Sequence, residues 1–170
     1  MSWHAPDDAI RAAFRQLRDD LRTELSDRAA VTSPEPPRGA GPEGRDWDPD
    51  DVAITPRARG AARVWWSQSA SNVQVGAGVG GASANWQLPR DDTAVAVVRQ
   101  VVDAAVAGRV QPGWGEVDYG GRLGVVRAGC CRVSLLDGTL LEDRSLAARQ
   151  RARVFPAGPV EWGPWSEPYV

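Results

Sequence analysis

The sequence predicts an α+β fold: an antiparallel β-sheet covered on one face by a central helix, with an N-terminal amphipathic helix joined through a mobile Pro/Gly-rich linker. Three observations predict it. Ile10, Phe14, Leu17, Leu21 and Leu25 recur at spacings of three and four, the period of one helix face. Val95, Val98, Val101, Val102, Ala105 and Val106 repeat that period between the N-cap oxygens of Asp91, Asp92 and Thr93 and the terminal Gly108. Elsewhere ARVWWSQ, NVQVGAGVG and CRVSLLDGTLLEDR carry β-branched and alternating residues divided by turn signals.

The first helix is expected over residues 7–28. Pro6 suits its first position, and Asp7 and Asp8 sit at the positive end of its dipole. Asp7–Arg11, Arg15–Asp19 and Glu24–Arg28 are spaced as i,i+4 pairs on its solvent side. Such pairs add only tenths of a kcal/mol each, so the apolar stripe needs a cover, in cis or on a partner. Residues 32–51 are rich in Pro, Gly and charge around the single large apolar Trp47, the composition of a linker. The chain is therefore read as a helical arm (1–31), a linker (32–51) and an α+β domain (52–170).

Residues 52–54 form a short strand before Pro56, and 62–68 a longer one with Trp65 and Trp66 on opposite sides. Residues 72–80 return beside it, with Val73, Val75, Ala77 and Val79 on one face. GGASA reads as a flexible link and Trp86-Gln87-Leu88 as a brief extended piece. The valine-rich segment from Asp91 is read as the central helix, with a strand over AVAVV as the alternative. Gln111–Gly115 reads as loop, Glu116–Tyr119 as the start of a strand, and Gly120-Gly121 as a turn into 122–128. Asp137-Gly138 predicts a two-residue type I′ hairpin, placing Leu135 opposite Leu140, Val133 opposite Glu142 and Arg132 opposite Asp143. Ser145 begins a short helix, Val154-Phe155 a last strand, and residues 156–170 an extended tail bearing Trp162, Trp165 and Tyr169.

Composition removes several function classes. Net charge is −2 and the pI about 5.4, which offers no general attraction to nucleic acid or an anionic membrane. No apolar run approaches the ~18 residues of a membrane span, and the N-terminus lacks a basic-then-apolar leader pattern, so the expected compartment is the cytoplasm. Every basic residue is arginine, which removes lysine nucleophiles. His4 is the one histidine and stands near the terminus, a poor place for a general base. Cys130 and Cys131 are adjacent; strand neighbours point to opposite faces, so they read as one buried and one half-buried thiol without the spacing of a metal site. Residues 76–81, GAGVGG, lack both the G-K-[ST] of a phosphate loop and the helix that a dinucleotide fingerprint opens. No cofactor is implied.

Three readings remain. Eight tryptophans beside an acidic pI and no catalytic set predict a non-catalytic protein-binding protein. Its contact candidates are Trp114, Glu116, Asp118 and Tyr119 in the Gly-rich region and Trp162 and Trp165 in the tail. Small acidic α+β proteins of this kind resemble toxin-neutralising immunity proteins and secretion chaperones, which act by occluding a partner's surface. The resemblance is one of class and rests on no diagnostic residue. The partner implied is a protein, with nucleic acid disfavoured and no membrane. The alternatives are an enzyme using Glu116 and Asp118 as acid–base or metal-binding carboxylates, and a nucleic-acid binder using Arg57, Arg59 and Arg63 with Trp65 and Trp66, or Arg144, Arg149, Arg151 and Arg153.

Overall fold

Asp8, not Pro6, starts the first helix: its carboxylate accepts from the Arg11 N–H as N-cap of α1 (Ala9–Glu24). Phe14, Leu17 and Leu21 form the buried face, continued by Leu25 just past the helix. The structure, a computed structural model, describes residues 5–33, 48, 50–118, 125–142 and 159–170. Most of the 32–51 segment, the expected Gly120-Gly121 turn, the short helix after Ser145 and the strand at Val154-Phe155 lie outside the described residues.

The arginines of α1 do not form the expected solvent-side ladder. Arg11 is 8% exposed and donates to Asp48 at 2.6 Å, to Asp50 at 2.5 Å and to the Ala5 carbonyl. Arg15 and Arg18 also reach Asp50, at 2.9 and 3.3 Å. Arginines at positions i, i+4 and i+7 of one helix face thus converge on carboxylates that return from 48–50. Burial opposes the charge of Asp50, but the guanidinium groups of Arg15 and Arg11 hold its carboxyl below the usual range. Glu24 likewise pairs not with Arg28 but with Arg99, at 2.8 Å.

The first sheet is an antiparallel meander in the order β1 (Ala29–Thr32), β2 (Val52–Pro56), β3 (Arg63–Gln68), β4 (Asn72–Val79) and β5 (Ala82–Pro89). Register puts Val52, Trp66, Val75 and Trp86 in one cross-strand row and Ile54, Val64, Ala77 and Ala84 in the next, all buried. Trp65 takes the other face, as the alternation predicts. GGASA is not a flexible link: Gly80 and Gly81, at φ +59° and +85°, are the two-residue turn that pairs Val79 with Ala82. With that turn closed, the brief piece around Trp86 becomes a full strand.

α2 (Asp92–Val106) has Asp91 as its N-cap, accepting from the Thr93 and Ala94 N–H groups. Val98, Val101, Val102, Ala104 and Ala105 are fully buried in one cluster with Phe14, Leu21, Trp66 and Val75. Phe14 and Trp66 meet at 6.4 Å between ring centroids. The helix of the N-terminal segment therefore packs in cis, on the same face of the sheet as α2.

The remaining strands form a second sheet rather than extending the first: β6 (Val110–Asp118), β7 (Val125–Ser134), β8 (Leu140–Glu142) and β9 (Glu161–Trp162), in the order β8-β7-β6-β9. β6 includes Gln111–Gly115, expected as loop. Val110, Cys131, Val133 and Leu135 carry its inner face into the common core. The β7–β8 hairpin is one residue out of the expected register: Ser134 pairs with Leu140, Val133 with Leu141 and Arg132 with Glu142. A type I′ turn needs positive φ at both central residues, whereas here Gly138 alone has it, at +89°. Gly138 N–H donates to Leu135 and Leu135 N–H to Thr139, closing a three-residue loop. After β9 the chain runs as a strap across both sheets. Ser166 N–H bonds Val110, Glu167 N–H bonds Gly60, Tyr169 N–H bonds Val106, and the buried Tyr169 hydroxyl donates to the Ala62 carbonyl.

Asp51, at the head of β2, supplies a pH test. Burial first, and then the neighbouring charges of Asp48 and Asp50, raise its pKa to about 6. The folded protein thus holds a proton that the unfolded chain releases near pH 4, so this contribution is complete below pH ~4 and is lost as pH rises through ~6. Asp51→Asn is expected to remove that slope. It should raise stability at pH 7 relative to the parent by ~1 kcal/mol, well below full linkage because the carboxylate keeps some solvent. Urea unfolding from pH 4 to 7 checks this; an unchanged slope in the variant refutes the assignment.

Candidate interaction surface

The strand pairing of β6 decides where the predicted contact residues lie. Trp114 pairs with Gly129 of β7 and with Glu161 of β9; Glu116 pairs with Arg127, and Asp118 with Val125. Alternation therefore sets Trp114, Glu116 and position 118 on one face, together with Arg127, Val125 and Glu161. Arg127 and Glu161 form an ion pair at 2.7 Å between exposed side chains. A recess of about 420 Å³ opens there, lined by Trp114, Glu116, Val125, Arg127, Pro159 and Glu161. Trp114 is half-buried and Glu116 exposed.

Trp162 belongs to the opposite face. It pairs with Gly113, and a Cβ placed on Gly113 would come within 2.7 Å of its ring. Bare backbone at that position lets the indole lie flat on the sheet. Arg132 then stacks on it, with Cζ 4.3 Å from the Trp162 centroid and 5.8 Å from that of Trp165. The guanidinium is held in place: Nε donates to Gln111 Oε1 at 2.7 Å, and the Gln111 amide donates to the Gly163 carbonyl at 2.6 Å. Trp165 is 44% exposed.

The six predicted residues are thus divided. Trp114 and Glu116 share one face of the second sheet, Trp162 and Trp165 lie on the other, Asp118 is described only by its backbone pairing with Val125, and Tyr119 falls outside the described residues. Sequence reasoning missed Arg127, Glu161, Arg132 and Gln111. It paired Arg132 with Asp143, whereas the three-residue loop sets Glu142 opposite it, 3.5 Å away. The signal for Arg132 was the Gly113/Trp162 match between a bare strand position and a large ring, legible only once β9 is placed.

Other candidates resolve as follows. Cys130 and Cys131 are both buried, at 6% and 1% exposure. Among the described residues, no three His, Cys, Asp or Glu side chains gather at a distance that could hold a metal ion. Arg57 donates to the Ser26 carbonyl at 3.1 Å, while His4, Arg144, Arg149, Arg151 and Arg153 lie outside the described residues. No described helix is long and apolar enough to cross a membrane. No family model, curated protein or solved structure matches the chain.

Replacing Arg132 tests the stacked face. Arg132→Ala removes two ring contacts and the hydrogen bond to Gln111, and should cost ~1–2 kcal/mol. Arg132→Lys should recover little, because an ammonium cannot lie parallel to two indoles and reach Gln111 at once. Denaturation midpoints read by tryptophan fluorescence check both; a lysine variant as stable as the parent contradicts the stacked geometry.

Proposed function

We propose that this chain is a non-catalytic protein-binding protein, of the toxin-neutralising or secretion-chaperone kind, whose contact surface is the second sheet with its strap. One observation carries the reading. Among the described residues the large apolar side chains left exposed are Val125, Leu136, Leu140, Trp165 and Val170. Every one belongs to β7, its hairpin with β8, or the strap; none lies on α1, α2 or the first sheet. Exposed apolar side chains confined to the second sheet, its hairpin and the strap, while both helices and the first sheet bury theirs, favour this part of the molecule as the place for a partner.

The charges beside that set suit a rim. Glu116, Arg127 and Glu161 surround the Trp114 recess with both signs, which gives orientation and partner choice more than affinity. Trp114 is the anchor of the recess face in this reading, since large aromatic groups at the centre of a contact carry most of its energy, and Trp165 is a separate contact on the reverse face. Occlusion of a partner's surface asks for no reacting group, only for a stiff apolar face, and the β6–β7 pairing supplies it over nine residue pairs from Val110–Val133 to Asp118–Val125.

Affinity capture from the source organism, using the parent chain and the variants Val125→Asp, Trp114→Ala and Trp165→Ala, tests this. A stoichiometric protein should be held by the parent and be weakened at least about tenfold by Val125→Asp and by one of the tryptophan variants. Equal capture by all four chains would remove this surface, and repeated capture of nothing would remove the function.

A further inference from the structure

The outer face of the first sheet differs from the rest of the molecule. A quarter of the chain is charged, at 25%, yet Arg63 is the one charged side chain that β1 to β5 present on that face. The face carries amides and hydroxyls instead: Ser67, Gln74, Ser83, Asn85 and Gln87, around Trp65. No described helix or strand covers it, for Gln74, Ser83 and Gln87 are exposed and Trp65, Ser67 and Asn85 half-exposed.

Trp65 is fixed rather than loose. Its neighbours in register are Ala53 on β2 and Gly76 on β4, both too small to flank it. The indole lies across Gly76, where a Cβ would fall 2.3–2.4 Å from its ring atoms. Its Nε1–H reaches one strand further and donates to Asn85 Oδ1 at 3.1 Å. One side of the ring is thereby pressed to the sheet and the other is presented outward. Recesses open on either side. The larger, about 520 Å³, is bounded by Trp65, Ala53, Arg63, Ser67, Gly78 and Ser83, and the smaller, about 180 Å³, by Ser67, Asn72, Gln74 and Gln87. Asp51 closes the end of the larger one, so its two charges are of opposite sign.

We infer that this face is a binding site for a neutral saccharide chain. An aromatic plate held open on one side matches the apolar C–H face of a pyranose ring, and the indole loses no rotamer freedom on contact because it is already fixed. Amide and hydroxyl side chains both donate and accept, as sugar hydroxyls do, and they do so without the desolvation cost of a charge. Two recesses along one row of strands, joined through Ser67, accommodate successive rings rather than a single compact ligand. An anionic polymer would find one guanidinium facing a carboxylate, which is a poor match. The site is built by the first sheet and shares no lining residue with the Trp114 recess, and the inference does not rest on the protein-binding reading.

Neutral oligomers of glucose, mannose and N-acetylglucosamine, titrated into the full chain up to ~10 mM and followed by the indole N–H resonances, test it. At least one should bind with the Trp65 signal among those most shifted, and with an affinity that does not change with salt. Trp65→Ala should abolish binding. Gln74→Ala and Gln87→Ala, which remove exposed side chains and leave the core intact, should each weaken it about three- to tenfold without lowering thermal stability. Silence across the panel would overturn the inference. So would binding that survives Trp65→Ala, binding restricted to anionic polymers that fades with salt, or a Trp65 signal that moves with protein concentration alone, which would mark the face as a contact between two copies.

Discussion

Everything in this fold turns on covering α2. Its buried side is almost entirely valine and alanine, with Val98, Val101 and Val102 at 0% exposure. Valine is a mediocre helix former because its branched Cβ loses χ1 freedom against the preceding turn, so the segment stays helical only if its whole stripe is removed from water. The first sheet lays Trp66, Val75 and Ala77 against it, α1 adds Phe14 and Leu21, and the second sheet adds Val110 and Val133. The strap completes the enclosure by setting Tyr169, 4% exposed, beside the helix end, with its N–H on the Val106 carbonyl. Burial drives the phenol's pKa upward, so the hydroxyl remains a donor to Ala62 at any physiological pH.

Charge is used at the joints of this assembly rather than spread over it. Arg90 clasps Asp8 through two hydrogen bonds, holding the start of α1 to the end of β5, and keeps that carboxyl far below its usual range. Arg99 clasps Glu24 across the two helices. Arg11 and its neighbours tie residues 48 and 50 to α1. The exposed Arg99–Glu24 clasp contributes little, whereas Arg11 and Arg90 are buried enough that losing a partner would strand an unpaired charge. Concentrating the charges in this way leaves the outer face of the first sheet nearly neutral and the second sheet with its apolar residues uncovered.

Both helices, the β3–β4 hairpin with its buried face, and the opposite placement of Trp65 and Trp66 were legible in the sequence, because each follows from a local period. What was not legible depended on partners distant in the chain. The i,i+4 spacing of Asp7–Arg11 is real, yet Arg11 turns to Asp48 and Asp50 because those carboxylates are buried beside it and Asp7 is not. Nothing local distinguishes Gly80-Gly81 as a link from Gly80-Gly81 as a turn until Ala82, Ala84 and Trp86 are recognised as the alternation of a buried strand. The Asp137-Gly138 pair named the hairpin correctly and misplaced its register, since the same dipeptide serves a two-residue and a three-residue loop. For the contact residues, the spacing put Glu116 and Asp118 on one strand face but left Trp114 in a loop, and no spacing could show that Trp162 would be folded onto the reverse of the same strand.

The outermost strands favour the proposed recognition through faces over strand addition. An open edge long enough to recruit a foreign strand needs a run of free N–H and C=O groups. β1 is four residues long, and Arg22 donates to its Val31 carbonyl. β8 has three residues and β9 two. β5 is longer, but it starts where Gly129 of β7 comes against Ala82, with a Cβ at Gly129 placed 2.9 Å from the Ala82 Cα, and it stops at Pro89, which has no N–H to give. Among the described residues, β9 pairs with only Gly113 and Trp114 of the nine-residue β6, so recognition through faces is favoured by the outermost strands and by the two proposed faces of unlike chemistry. One is apolar with charges of both signs at its rim, and the other is uncharged, hydrogen-bonding and built around one fixed indole. A single partner could not satisfy both with the same surface, so the two faces are proposed for different ligands.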